Sequence, residues 1–158
     1  MTISIQKASL SNLSDIQQLN LRLFEKEQKE FCSDLDINRT YSDNWSNYFT
    51  ERINWQDWAI YIAKDQEKTI AYLCWAITEA ESYRLILDPV AELENMYVDT
   101  AYRWQWIWGE LYSIFLEWCK EKWVKKIRVE ASIDNIEAIQ FYKKQWAKSY
   151  SMRLEHTI

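Results

Sequence analysis

Glycine and proline are almost absent: the 158-residue chain has one of each, Gly109 and Pro89. That excludes collagen-like, linker-like and low-complexity architectures, which are built from those residues. Histidine is as scarce, with His156 alone near the end of the chain. Cys32, Cys74 and Cys119 are widely spaced and form no Cys-x-x-Cys pair, so neither a metal site nor a disulfide framework is expected. No apolar run approaches the roughly 18 residues of a membrane span, and no basic leader precedes one. The expectation is a cytoplasmic protein, monomer or homodimer, with no membrane partner. Nucleic acid is not expected as a partner either, because the net charge is -5 and phosphate binding needs concentrated positive charge. The lysines that do gather, at 120–126 and 143–148, read as solvated helix ends favoured by the helix dipole.

What the chain has instead is tryptophan, ten of them. Usage near 7% would give a protein of this length about 11 glycines, a number that the tryptophans and Gly109 together supply. Asn44-Trp45, Asn54-Trp55 and Asp57-Trp58 look like Asn-Gly and Asp-Gly turns, where glycine takes positive φ at no steric cost. Trp123 and Trp146 follow lysine-rich helix ends, where glycine closes a helix in the left-handed conformation. Trp104, Trp106 and Trp108 crowd the turn before Gly109, and Trp75 stands inside a strand pattern. Only Trp118, on a helical stripe with Ile114 and Leu111, looks at home. Three origins fit the other nine: genuine aromatics, host UGA codons that mean glycine rendered as tryptophan, or deliberate substitution.

Length and composition predict one compact domain. Periodicity predicts alternating strands and helices: a strand over 3–7, a helix capped by Ser11 and running to about Gln28, and a short helix over 45–53. A hairpin follows at 58–64 and 68–78, then a strand at 91–98 after Pro89 and a strong helix over 107–122. Residues 126–131 alternate as a strand, Asp134 with Glu137 reads as a capping pair for a helix to Gln145, and 148–154 reads as a last strand.

The segment Val98-Asp-Thr-Ala-Tyr-Arg-Trp-Gln-Trp-Ile-Trp-Gly109 is a strand end, a tight turn and a helix start. With Trp104, Trp106 and Trp108 read as glycine, it resembles the phosphate-binding loop of the GNAT N-acetyltransferases, which runs Arg or Gln, two residues, Gly, one residue, then Gly or Ala. Two further stretches are similar to that family: Leu93-Glu94-Asn95-Met96-Tyr97-Val98-Asp99 to its fourth strand, and Asn135-x-x-Ala138-x-x-x-Tyr142-x-x-x-Trp146 to its Asn-Ala-Tyr-Gly motif. The resemblance implies an α/β fold, a mixed, mostly antiparallel twisted sheet of six to seven strands flanked by about four helices. It also implies acetyl-CoA as co-substrate and direct transfer to an amine acceptor.

Carried over, the backbone of Arg103, Trp104, Gln105, Trp106, Ile107, Trp108 and Gly109 would cradle the pyrophosphate, because a helix start offers unpaired N–H groups and a positive dipole end. Met96 and Val98 would hold the pantetheine arm and Asn135 would lie beside the thioester. Tyr142 would protonate the departing thiolate, and Glu94 would take the amine's proton through a water. The competing expectation is a catalytically impaired binding module in which indoles at 104, 106 and 108 block the cofactor cleft. The acidic residues Asp34, Asp36 and Asp43 fit a cationic acceptor and a solvated loop equally well.

Overall fold

In the computed structural model, residues 2–79, 83, 88–103, 106–145 and 147–156 are described. Among them the sheet has five strands in chain order, β1 (Ile3–Lys7), β2 (Trp58–Asp65), β3 (Lys68–Thr78), β4 (Val90–Val98) and β5 (Lys126–Val129). The first four form an antiparallel meander; β5 returns parallel to β4. A parallel return needs a crossover, supplied by helix α3 (Ile107–Glu121). Helices α1 (Leu13–Glu30) and α2 (Asp43–Asn54) precede β2, and α4 (Ile136–Lys144) follows β5.

The sheet is covered on both faces, which explains why the strand side chains of β3 are apolar on either side. On one face Ile16, Leu19, Phe49 and Ile53 of α1 and α2 pack on Ile60, Ile62, Tyr72 and Tyr97. On the other, Ile107, Leu111 and Phe115 of α3, with Tyr142 of α4, pack on Leu73, Trp75, Leu93, Met96 and Val98.

Strand and helix spans follow the sequence periodicity closely, with three corrections. Residues 148–154 are exposed and irregular, because alternation makes a strand only where a neighbouring edge accepts its hydrogen bonds; here the segment touches β5 loosely, Arg153 lying 3.8 Å from Glu130. Five strands therefore replace the expected six to seven. The first long helix begins one residue later than Ser11 allows: a 3₁₀ turn, Leu10–Asn12, comes first, and Asn12 caps α1. The cap of α4 is Asn135, whose side chain accepts the Ala138 N–H at 3.2 Å, so Asp134 and Glu137 form no capping pair.

The tryptophans divide sharply. Trp123 adopts φ 57°, the left-handed closure expected after α3, with its ring 85% exposed. Gln66, in the β2–β3 turn, is the other described non-glycine residue with positive φ, and nothing in its sequence context announced it. The other described tryptophans in glycine contexts have no positive φ, which corrects the turn assignment. Trp45 lies inside α2, Trp55 is extended at φ -91°, Trp58 opens β2, and Trp106 and Trp108 sit at the start of α3. Trp75 is fully buried, stacked 5.3 Å from Tyr61 and tilted against Phe115 at 5.2 Å, but among the described residues its indole N–H finds no acceptor. Trp104, Gln105 and Trp146 lie outside the described residues.

Candidate active site

The site begins with a fault in the sheet. Along β3 and β4, Asn95 pairs with Cys74 but Leu93 pairs with Trp75, leaving Glu94 as one extra residue in β4. Such a bulge bends its strand and increases local twist. On the opposite edge, β4 pairs with β5 only from Val90↔Lys126 to Leu93↔Val129. Beyond that point the two strands part, so from Glu94 to Val98 the second edge of β4 has no strand beside it among the described residues. Backbone groups along a bared edge seek partners.

A cluster from α2 pins the bulge. Arg52 holds the Glu94 carboxylate with two bonds of 2.7 Å, Nε to Oε2 and Nη2 to Oε1. The Tyr48 hydroxyl donates to Oε2 at 2.8 Å and accepts from the Asn95 side-chain amide at 2.8 Å; the Cys74 thiol lies 3.5 Å from Oε2. The Arg52 guanidinium also lies 3.5 Å from the Tyr48 ring centre. Burial, with Cys74 and Glu94 nearby, pushes the Tyr48 phenol well above its ordinary range, and burial does the same to the Cys74 thiol. Both stay protonated and serve as donors. Glu94 Oε2 is thereby saturated, while among the described residues Oε1 accepts from Arg52 alone, which leaves a lone pair for a water.

At the far end of β4, Asp99 accepts the Ala101 N–H at 3.2 Å and caps a 3₁₀ turn, Thr100–Tyr102. Arg22 and Lys68 hold the same carboxylate at 2.9 and 3.5 Å. Arg103 bends back to donate to the Val98 carbonyl at 3.2 Å. Among the described residues no side chain caps the start of α3, which Trp106 precedes at φ -63°, and a helix start leaves its first N–H groups without partners inside the helix. Outside Gly109's own helix and chain neighbours, no described atom lies within 4 Å of where its Cβ would stand. The Trp106 ring is 57% exposed there, whereas Trp108 is turned toward α4, 5.8 Å from Phe141. Of the two described indoles at this helix start, therefore, Trp106 is the one that projects toward solvent.

On the α4 side, Tyr142 is buried against Tyr112, 6.1 Å between ring centres, and Phe141. Burial, with Tyr112 beside it, holds its phenol above the ordinary range, and among the described residues its hydroxyl has no hydrogen-bond partner. Asn135 spends its side-chain oxygen on the cap of α4.

The acetyltransferase (GNAT) family profile matches residues 22–146, spanning the bulge, the α3 start and α4. The chain belongs to the GNAT acetyltransferase family. No curated protein matches it in sequence. Among solved structures, a tetramutant of the BH1408 protein of Bacillus halodurans superposes with a TM-score of 0.86 at 15% identity, covering 98% of this chain and 99% of that one. The aminoglycoside acetyltransferase meta-AAC0020 from an uncultured soil metagenomic sample, in complex with sisomicin, gives 0.70 at 20% identity, covering 99% and 96%. The aminoglycoside acetyltransferase AAC(6')-Iy, bound to a bisubstrate analogue of CoA and acetylneamine, gives 0.74 at 13%, covering 100% and 99%. At such identities these likenesses establish the fold.

In this GNAT chain the structure brings Glu94, Met96 and Val98 to the bared stretch of β4, Arg103, Trp106, Ile107, Trp108 and Gly109 to its far end, and Asn135 and Tyr142 to α4. Sequence reasoning missed Arg52 and the clamp it forms with Tyr48 and Asn95 around Glu94. An Arg four residues after a Tyr on a helix is a visible stripe, but the partner 42 residues away in Glu94 is not.

Proposed function

We propose that the protein is an acetyl-CoA-dependent N-acetyltransferase that moves the acetyl group directly from the thioester to an amine. The observation that carries this reading is the bared edge of β4 beyond Leu93, running toward the uncapped start of α3. An extended amide-bearing arm fits such an edge, and a pyrophosphate fits such a helix start. Both belong to coenzyme A, and CoA is bound in a solved structure of AAC(6')-Iy.

In this reading the Glu94 carboxylate acts through a water at Oε1, because Oε2 is already filled by Arg52 and Tyr48. Proton removal from the amine frees its lone pair for attack on the thioester carbonyl, which a β4 N–H polarises. The C–N bond forms, the C–S bond breaks with its electron pair leaving on sulfur, and the surplus proton of the nitrogen passes to the thiolate, giving the amide and the free thiol of coenzyme A. Tyr142 donates a hydrogen bond to that sulfur. Its raised pKa means that it stabilises the thiolate, whose ordinary pKa is near 8.5, more readily than it gives the proton away. Asn135 positions the start of α4, and through it Tyr142.

The exposed Trp106 ring favours a second reading, a binding module whose cofactor cleft is blocked. Calorimetric titration with acetyl-CoA, on the wild type and on Trp106→Gly, decides between the two. Binding by the wild type supports the transferase, and binding by Trp106→Gly alone supports the blocked module. Absence of binding in both refutes the transferase.

A further inference from the structure

Glu27, on α1, is a half-buried carboxylate with Lys26 as its neighbouring charge. Among the described residues its carboxylate makes no hydrogen bond and no ion pair. Its neighbour Lys26 is engaged elsewhere, 3.4 Å from Glu30 and 3.8 Å from Glu137. The second of these contacts locates Glu27. Because α1 covers one face of the sheet and α4 the other, Lys26 meets Glu137 past the margin of the sheet on its β5 side, the side on which β4 and β5 part. Glu27, the next residue of α1, is thereby brought to that side of the sheet.

Its surroundings are aromatic. Seven residues earlier on the same helix stripe, Asn20 binds the Tyr72 hydroxyl at 2.9 Å and the Trp45 indole N–H at 2.7 Å. Phe24, one turn before Glu27, meets Trp45 at 5.8 Å, and Trp45 stacks 4.5 Å from Tyr48. The Tyr72 phenol lies within electrostatic reach of Glu27 and of Tyr97. A lone carboxylate at the border of aromatic rings is the chemistry of an ammonium site, where Coulomb attraction and ring faces act together. Burial pushes the Glu27 carboxyl up, against the smaller opposing pull of Lys26, as expected of a desolvated group that lacks its counter-ion.

We propose that Glu27 receives an ammonium group of the acceptor other than the amine being acetylated, so that the acceptor is a small polycation such as a polyamine or amino sugar. The reacting nitrogen must be neutral to attack, so a carboxylate that holds a protonated nitrogen serves a second one. This rests on the transferase reading above, and the two are tested by different ligands.

The experiment is calorimetric titration of spermidine, in the absence of acetyl-CoA, into the wild type, Glu27→Gln and Glu27→Asp. The wild type binds; Glu27→Gln binds roughly ten- to a hundredfold more weakly, the worth of one charge-assisted hydrogen bond, and Glu27→Asp recovers part of the loss. Acetyl-CoA titrated into the same proteins reports on the donor site alone and is unchanged by either variant. Equal spermidine affinity in wild type and Glu27→Gln, or no binding by the wild type, overturns the assignment whatever acetyl-CoA does. Glu27→Gln folds, because it removes a desolvated charge. A folded pKa raised above the unfolded value of 4.5 means ionisation opposes folding, so the variant melts higher than wild type above that pH and the difference closes on acidification through it.

Discussion

Replacing Trp123 with glycine should stabilise this protein, and the size of the gain follows from the backbone. Trp123 sits at φ 57° with its ring 85% exposed, so little apolar burial is lost with the indole. A side-chain-bearing residue in the left-handed conformation costs roughly 1–2 kcal/mol, which glycine does not incur. Glycine's extra freedom in the unfolded chain returns about 0.4–1 kcal/mol of that. The net is about 0.5–1 kcal/mol, or about 1–4 °C in Tm for a chain of this length. Trp123→Ala is the control, since alanine keeps the Cβ and with it the strain. Scanning calorimetry of the three proteins should rank glycine above both others. A Trp123→Gly protein that melts below wild type, or no higher than Trp123→Ala, would refute the strain argument.

Three further outcomes are expected. Tyr142→Phe lowers kcat while leaving the acetyl-CoA dissociation constant unchanged, since on the proposed mechanism it removes the hydroxyl that serves the departing sulfur and keeps the buried ring; parallel kinetics and calorimetry check this. Arg52→Met strands the Glu94 carboxylate beside the bulge and costs about 3 kcal/mol in urea unfolding, because both partners are largely buried, at 12% and 18% side-chain exposure. In the gene, Trp45, Trp55, Trp58, Trp75, Trp104, Trp106, Trp108, Trp123 and Trp146 are expected to share the codon UGA, with UGG at Trp118, and mass spectrometry of the protein from its own host to find glycine at all nine. UGG throughout would end that account.

Most of the architecture was legible because it rests on local periodicity: the β2–β3 hairpin, the apolar stripe of α3 and the turn that precedes it are each set by residues close in sequence. What escaped was set at a distance or by a count of one. The bulge at Glu94 is a register shift against β3 that alternation along β4 alone does not reveal. The clamp of Tyr48 and Arg52 joins a helix to a strand that the chain reaches only after the whole β2–β3 hairpin. Glycine-like contexts misled where neighbours such as Asn44 and Asp57 suggested turns, while the helix of α2 and the ladder of β2 imposed ordinary angles on Trp45 and Trp58. The context of Trp123 was read correctly because a helix end is a local event.

The parting of β4 from β5 has a kinetic consequence. A break in a one-layer sheet is a window with two sides, and here each side belongs to different helices: α3 and α4 on one, α1 and α2 on the other. On the proposed transferase reading, the acyl donor would come along the α3 side and the amine from the α1 side, so neither arrival would close the other's doorway. Both must be present at once, since only the opening connects them. Initial-rate plots against either substrate should then intersect rather than run parallel, with no compulsory order of addition.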